Sequence, residues 1–386
     1  MGEPPRFAMV AGEASGDLLA GLLLGGMLRR WKHLHAYGIG GPQMAQHGFD
    51  AWWPHEKLAV RGYAEVLRQL PEILRIRRSL RDRLVAQPPS AFIGVDAPDF
   101  NLGLEEQLRA RGIRTIHFVC PSIWAWRPQR IEKIKRACDH VLCIFPFEPE
   151  LLAKHGIPAT YVGHPLASVI RLTPDKAAAR AALGYADEDE LCALLPGSRA
   201  SEIDYHASLF FQAAARVRAA RPAIKFVVPA IPSLKARIDD AARASGLGDA
   251  VQVLAGRSHE ALAACDLTLV ASGTATLEAA LFKRPMVIAY RLSALSHWLM
   301  RRQQLQPWVG LPNILCREFV VPELIQDAAT PQALCAATLD WLDAKRQDPP
   351  KIAALEQRFT ALHESLLRNT PQLAADAIQK ILAPAA

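Results

Sequence analysis

No apolar run in the 386-residue chain is long enough to cross a bilayer, which takes about 20 residues. The first residues lack the charged, apolar, small-residue order of an export signal, so export is not expected. Cysteine is sparse and unpaired in pattern. Cys120, Cys138, Cys143, Cys192, Cys265, Cys316 and Cys335 are odd in number and form no C-x-x-C. Several lie in apolar runs, which reads as reduced core thiols of a cytosolic protein. No His/Cys/carboxylate group has metal-ligand spacing. Asp187-Glu188-Asp189 precedes a strand, at the wrong end of a sheet for a ligand, and reads as a solvated turn. No metal or other cofactor is therefore expected. The G-x-G-x-x-G fingerprint is absent, which weighs against a nicotinamide dehydrogenase. Lys+Arg number 45 against 38 Asp+Glu, a net charge of +7, yet no basic block is interleaved with aromatics. Nucleic acid is thereby the weakest reading and no nucleic-acid partner is expected, while anionic lipid and anionic substrates remain.

What is present is α/β alternation, in two series. With 51% hydrophobic residues and this length, the chain fits two domains with large cores. The boundaries expected are 1–168, joined by the C-terminal helical stretch of about 350–386, and 169–349.

The most informative stretch runs from Leu191 to Glu202. Leu191 to Leu195 is an apolar run, the mark of a buried strand. Pro196-Gly197 breaks it, and a helical pattern follows from about Ser201. Strand, glycine turn and helix start make an anion site from free N–H groups and the helix dipole. Arg199 adds a fork suited to phosphate oxygens. Gly197, Ser198 and Arg199 are the candidate diphosphate ligands; a plain turn with a surface arginine is the competing reading. A second such unit breaks the tie. Asp266 to Ala271 reads as a strand, Ser272-Gly273-Thr274 as a turn, and Leu277-Glu278 as the helix beyond. Glu278 could accept both hydroxyls of a ribose. Together these residues describe a site for a nucleotide bearing a sugar.

The first half begins with the strand Phe7 to Ala11. A polar turn with Glu13, Ser15 and Asp17 follows, where Asp17 also suits helix capping. Ala91 to Val95 is another buried strand, and Asp96 stands at its carboxyl end, placed for chemistry. Asp99 and Asn101 fit helix capping better. Trp124, Trp126 and Arg127 share a Pro-bounded loop that could pack on a sugar ring or acyl chain, or serve as a hydrophobic plug. From Arg61 to Val85, Val66, Leu67, Leu70, Ile73, Leu74, Leu80 and Leu84 recur at helical spacing among arginines. That stripe suits an anionic membrane surface or the protein core, and Pro71 is expected to open a fresh helical stretch.

Two Rossmann-like halves in series, with the nucleotide in the second, describe the GT-B architecture, two such domains facing across a cleft. Six motifs in order carry a closer likeness: Val10 to Asp17, Val95 to Asn101, Pro121 to Arg127, Leu195 to Arg199, Ala271 to Glu278, and Leu311-Pro312-Asn313. On these the chain resembles the lipid-A-disaccharide synthase family nearly end to end, with Ala14 where threonine is common. The resemblance implies an inverting transfer of 2,3-diacylglucosamine from UDP to 2,3-diacylglucosamine 1-phosphate. It implies Asp96 or Glu13 as general base, Arg199 on the leaving diphosphate, and Asn313 beside the UDP. Ser15, Asp17, Trp124, Trp126 and Arg127 fall on the acceptor and acyl side. Acylated glucosamines and an anionic membrane are the implied partners. The implied place is the cytosolic face of the inner membrane, held peripherally. A homodimer stays open. So does a soluble UDP-sugar epimerase or hydrolase of the same architecture.

Overall fold

A computed structural model describes residues 4–58 and 63–383, with side chains outside the description at 63–68, 294–296, 299 and 301. The chain divides into two compact units, Met1–Ser168 with Ser365–Ala386, and Val169–Glu364. Residues 350–364, expected with the first unit, belong to the second.

The first unit holds β1 (Arg6–Ala11), β2 (His35–Gly40), β3 (Asp50–Pro54), β4 (Ala91–Val95), β5 (Thr115–Phe118), β6 (His140–Cys143) and β7 (Ala159–Tyr161). All pair in parallel, in the order β3-β2-β1-β4-β5-β6-β7. The strands β1 and β4 are buried on both faces, which is why they read as unbroken apolar runs. The order reverses between β1 and β4, where Ala11 lies level with Val95. In such sheets ligands bind beyond the carboxyl ends at that switch point.

The second unit repeats the plan with β8 (Leu191–Leu195), β9 (Lys225–Ala230), β10 (Val251–Ala255), β11 (Leu267–Val270), β12 (Met286–Tyr290) and β13 (Glu323–Ile325). Its order is β10-β9-β8-β11-β12-β13, again parallel, with the switch between β8 and β11. Sequence periodicity locates the first five of these strands. The short, half-buried β13 carries no such pattern.

After Ser365 the chain returns to the first unit. The helix Thr370–Leu382 packs on the helix Ala14–Arg30 so closely that a Cβ on Gly26 would lie 2.6 Å from the Pro371 Cα. All seven cysteines are free thiols; five are buried, Cys316 and Cys335 half-buried. Among the described residues, no helix is long and apolar enough to cross a membrane.

The arginine-rich segment is one helix, Tyr63–Ala86, with Pro71 inside it rather than at a new start. Pro71 is on the exposed side, where water can take the hydrogen bond that proline forfeits. The apolar stripe is divided. Ile76, Leu80 and Leu84 are buried in the sheet core, with Ile73 packed partly against it. Leu70 and Leu74 are exposed, by 39% and 41%. The side chains of Val66 and Leu67 lie outside the described residues.

Candidate active site

In the second unit, Val270 lies level with Leu195, so the two turns expected to hold phosphate are neighbours at the switch point. Gly197 takes φ +139°, and a Cβ there would meet the Glu202 Cβ at 2.4 Å. Only glycine passes. Arg199 is the N-cap residue of the helix Ala200–Ala220. Glu202, in the first turn, accepts the Ser198 N–H at 2.9 Å and the Arg199 guanidinium at 2.5 Å. A carboxylate thus sits where this reading places a phosphate. Glutamate three residues into a helix is a capping-box position, the signal that could have revealed it.

On the other side of the switch, Gly273 takes φ +120° as N-cap of the helix Thr274–Leu281. Ser272 is half-buried, Gly273 and Thr274 exposed. Glu278 follows one turn on, its side chain 18% exposed, with His259 Nε2 at 4.0 Å from the carboxylate. Burial pushes its pKa up to about 7.

The amide of Asn313 is used within the fold, on a helix whose Leu311 N–H donates to Thr276 Oγ1 at 3.2 Å. Its Nδ2 donates to Val321 O at 2.9 Å and to Glu323 at 2.8 Å, and its Oδ1 accepts the Val320 and Val321 N–H groups. Fully buried and fully engaged, it clamps the loop beside β13 rather than facing UDP.

In the first unit, Glu13 follows β1 and Asp96 follows β4, so the switch point brings both half-buried carboxylates to one sheet edge. Asp96 and Ala97 take φ +50° and +44°, the left-handed region that non-glycine residues rarely enter. Their peptides are held. The Asp96 N–H donates to Phe118 O at 2.9 Å, and buried Asn101 Nδ2 donates to Asp96 O at 2.8 Å.

Under this edge lies a buried group that sequence spacing could not reveal, since its members come from three separate elements. Glu105 accepts from His117 Nδ1 at 2.8 Å and from Cys138 Sγ at 3.4 Å. The Glu105 carboxylate occupies the space left by Gly94, where a Cβ would come within 2.2 Å of it. Among the described residues these three also form a group whose ligand atoms lie within 4.8 Å of one another. Burial opposes charge on His117, but Glu105 outweighs it and, with Asp96, holds the imidazole pKa above its usual value.

Two other residues expected on the acceptor side are engaged within the fold. Asp17 is buried and accepts the N–H groups of Gly41, Gln43 and Met44 at 2.8, 2.9 and 3.2 Å. It caps the short helix Pro42–Ala45, not its own. Trp124 donates to the buried Glu148 at 3.0 Å and packs edge-on against Phe145 and Phe147, a plug rather than a platform. Burial pushes the Glu148 pKa up to about 8. Ser15 is half-buried in the first turn after β1. Trp126 and Arg127 remain at the surface, with Arg127 stacked 4.3 Å from the Trp126 ring centre.

A family model described as lipid-A-disaccharide synthetase matches residues 7–378. The chain belongs to that family. It is 69% identical over 384 residues to the lipid-A-disaccharide synthase of Verminephrobacter eiseniae, covering 99% of each chain. It is 67% identical to that of Albidiferax ferrireducens, covering 98% of this chain and 97% of the relative. Membership makes it a hexosyltransferase of lipid A assembly. Solved structures share the fold at low identity. UDP-GlcNAc 2-epimerase from Neisseria meningitidis has TM-score 0.64 at 11% identity, over 98% of this chain and 99% of that one. MurG of Acinetobacter baumannii has TM-score 0.57 at 15% identity, over 98% and 100%. Both sheets of this chain therefore belong to a GT-B architecture, and the epimerase likeness is one of fold, not of family.

Proposed function

We propose that the chain transfers 2,3-diacylglucosamine from UDP to the 6-hydroxyl of 2,3-diacylglucosamine 1-phosphate, with inversion. The products are the β-1,6-linked disaccharide 1-phosphate and UDP. The supporting observation is the division of chemistry between the switch points. Carboxylates stand at the first, and a glycine turn with an arginine and a helix start at the second. Asp96 takes the proton of the acceptor hydroxyl as its oxygen attacks the anomeric carbon, with Glu13 as the competing base. The bond to the diphosphate breaks, and its electron pair leaves on UDP. Arg199, the amides of Gly197 and Ser198, and the Ser272-Gly273-Thr274 turn meet that charge. Glu278 accepts the ribose hydroxyls. No metal takes part in this scheme.

The test is a coupled assay of UDP release from UDP-diacylglucosamine in EDTA, with and without the acylated acceptor. Acceptor-dependent release is expected. Release without acceptor indicates a hydrolase, and an epimerised UDP-sugar an epimerase.

The enzyme works peripherally at the cytosolic face of the inner membrane in this reading. The exposed Leu70 and Leu74, with the surrounding arginines, meet anionic lipid; Ile73 adds only its open edge. Leu70→Ser with Leu74→Ser is expected to weaken binding to phosphatidylglycerol vesicles and leave the thermal melt unchanged. Leu80→Ser, in the core, is expected to lower stability by about 2–5 kcal/mol. Equal losses of stability in both would place the whole stripe in the core.

A further inference from the structure

Beyond Arg127, the loop after β5 supplies a second cation, Arg130, which opens the helix Arg130–Ala137. Both guanidiniums lie over Trp126, at 4.3 and 5.4 Å from its ring centre. Both also close on one carboxylate. Arg130 Nη2 bonds Asp99 Oδ1, and Arg127 Nη1 stands 3.8 Å from the same oxygen. The burial is lopsided: the Arg130 side chain is 13% exposed and that of Asp99 79%. An ion pair with so exposed a partner is weak, so Asp99 is easily displaced. Arg127 holds φ +51°, a left-handed conformation that a non-glycine residue adopts only at a backbone cost. Two oriented guanidiniums and one exposed carboxylate leave a net positive charge facing solvent at the carboxyl ends of β4 and β5.

We infer that Arg127 and Arg130 bind the phosphomonoester of the acceptor, and that Asp99 occupies that position until the acceptor arrives. This deepens the proposed reaction and rests on it. Planar guanidiniums fit the oxygens of a phosphate monoester in pairs, and the second positive charge suits a group that carries up to two negative ones. Stacking on Trp126 fixes the forks before the ligand comes. Asp99 lies three residues beyond Asp96, a reach of at most about 10 Å along the chain. On the acceptor, the 6-hydroxyl and the anomeric phosphate flank the ring oxygen, so a base at Asp96 and a phosphate at Asp99 span one sugar. The pair therefore sets which end of the acceptor faces the donor.

The experiment uses the full chain and two acceptors, 2,3-diacylglucosamine 1-phosphate and the same sugar with a free anomeric hydroxyl. Wild type is expected to favour the phosphorylated acceptor. Arg127→Gln and Arg130→Gln are each expected to lower kcat/KM for it by about 10- to 100-fold, chiefly through KM, and so compress the preference. Arg130→Lys should recover part of it. UDP affinity reports that the second unit is intact. Glucosamine 1-phosphate, followed by NMR titration, gives a second readout that does not need turnover. Its binding should weaken in both glutamine variants and tighten a few-fold in Asp99→Asn. An unchanged preference in the variants, equal losses with both acceptors, or weaker probe binding in Asp99→Asn overturns the inference. So does a loss confined to phosphatidylglycerol vesicle binding, which would assign the arginines to lipid headgroups. If wild type releases no UDP with either acceptor, the proposed reaction fails, and the probe titration still decides whether the arginines hold a phosphomonoester.

Discussion

But for the added β7 of the first, the two sheets share one strand order, yet they build their switch points from different backbone. In the second unit the turns reach positive φ at Gly197 and Gly273. In the first they do so at Asp96 and Ala97, and β5 ends in the same way at Val119. Glycine enters this region without steric cost, which suits a ligand held by backbone. A side chain there costs about 1–3 kcal/mol and persists only where the surroundings enforce it. Around Asp96 they do, through the Phe118 carbonyl and the Asn101 amide. In the proposed scheme the phosphate cradle is main chain, and the base is a side chain in a strained setting.

The sharpest way to break this comparison is to remove basicity and leave shape. Asp96→Asn is expected to lower turnover by roughly 10²–10⁴-fold with UDP affinity near that of wild type. Glu13→Gln and Asp99→Asn belong in the same assay. If Glu13→Gln loses turnover while Asp96→Asn keeps it, the base is on β1 and the strain after β4 has another purpose. Next in size, Arg199→Ala should lower turnover on the order of 10²-fold, about 3 kcal/mol, because charge on the leaving diphosphate grows in the transition state. Arg199→Lys should restore part. A loss below tenfold would mean that the cradle works through its backbone alone.

Glu278 gives a pH signature confined to the second unit. Its pKa of about 7 means that the carboxylate forms only as pH passes that value. UDP affinity should therefore rise with pH through 7 and lose this dependence in Glu278→Gln. The sign for stability is opposite. The unfolded chain gives up this proton near the usual carboxylate range, so the folded state weakens as pH climbs from there through 7. Glu148, raised to about 8 by burial, adds a dependence of the same sign, so the melt series is run beside Glu278→Gln; a pH dependence unchanged in that variant would assign Glu278 an ordinary, solvated carboxylate. The smallest effect is expected at Glu202. Glu202→Gln removes a competing charge from Arg199 and should tighten UDP by about two- to fivefold, the worth of a partly exposed ion pair. Weaker binding would make Glu202 a support for the guanidinium instead.

The strands and the placing of the turns were legible because their signals are local. An apolar run, a break at Pro196-Gly197 and a helix start lie within a dozen residues. The same holds for Asp96 at the end of β4. Polar side chains used up by distant partners were not legible. Asp17 reads as a loop carboxylate until the N–H groups 24 to 27 residues later arrive to bond it. Asn313 reads as a ligand contact until Val321 and Glu323 engage it. Trp124 reads equally as a platform or a plug until Glu148 takes its indole N–H. Leu80 and Leu74 carry the same apolar signal, and only packing decides that one meets the sheet and the other solvent.

The return of the chain after Ser365 has a consequence for the order of synthesis. The second unit is complete once Glu364 has been made, whereas the first still lacks the helix that covers Gly26. Domains fold as they leave the ribosome, usually the N-terminal one first. Here the unit that begins the chain is the one that must wait. Until Thr370–Leu382 arrives, the helix Ala14–Arg30 has an uncovered glycine face, and the half of the enzyme bearing Asp96 is exposed to proteases and chaperones after its partner half is finished.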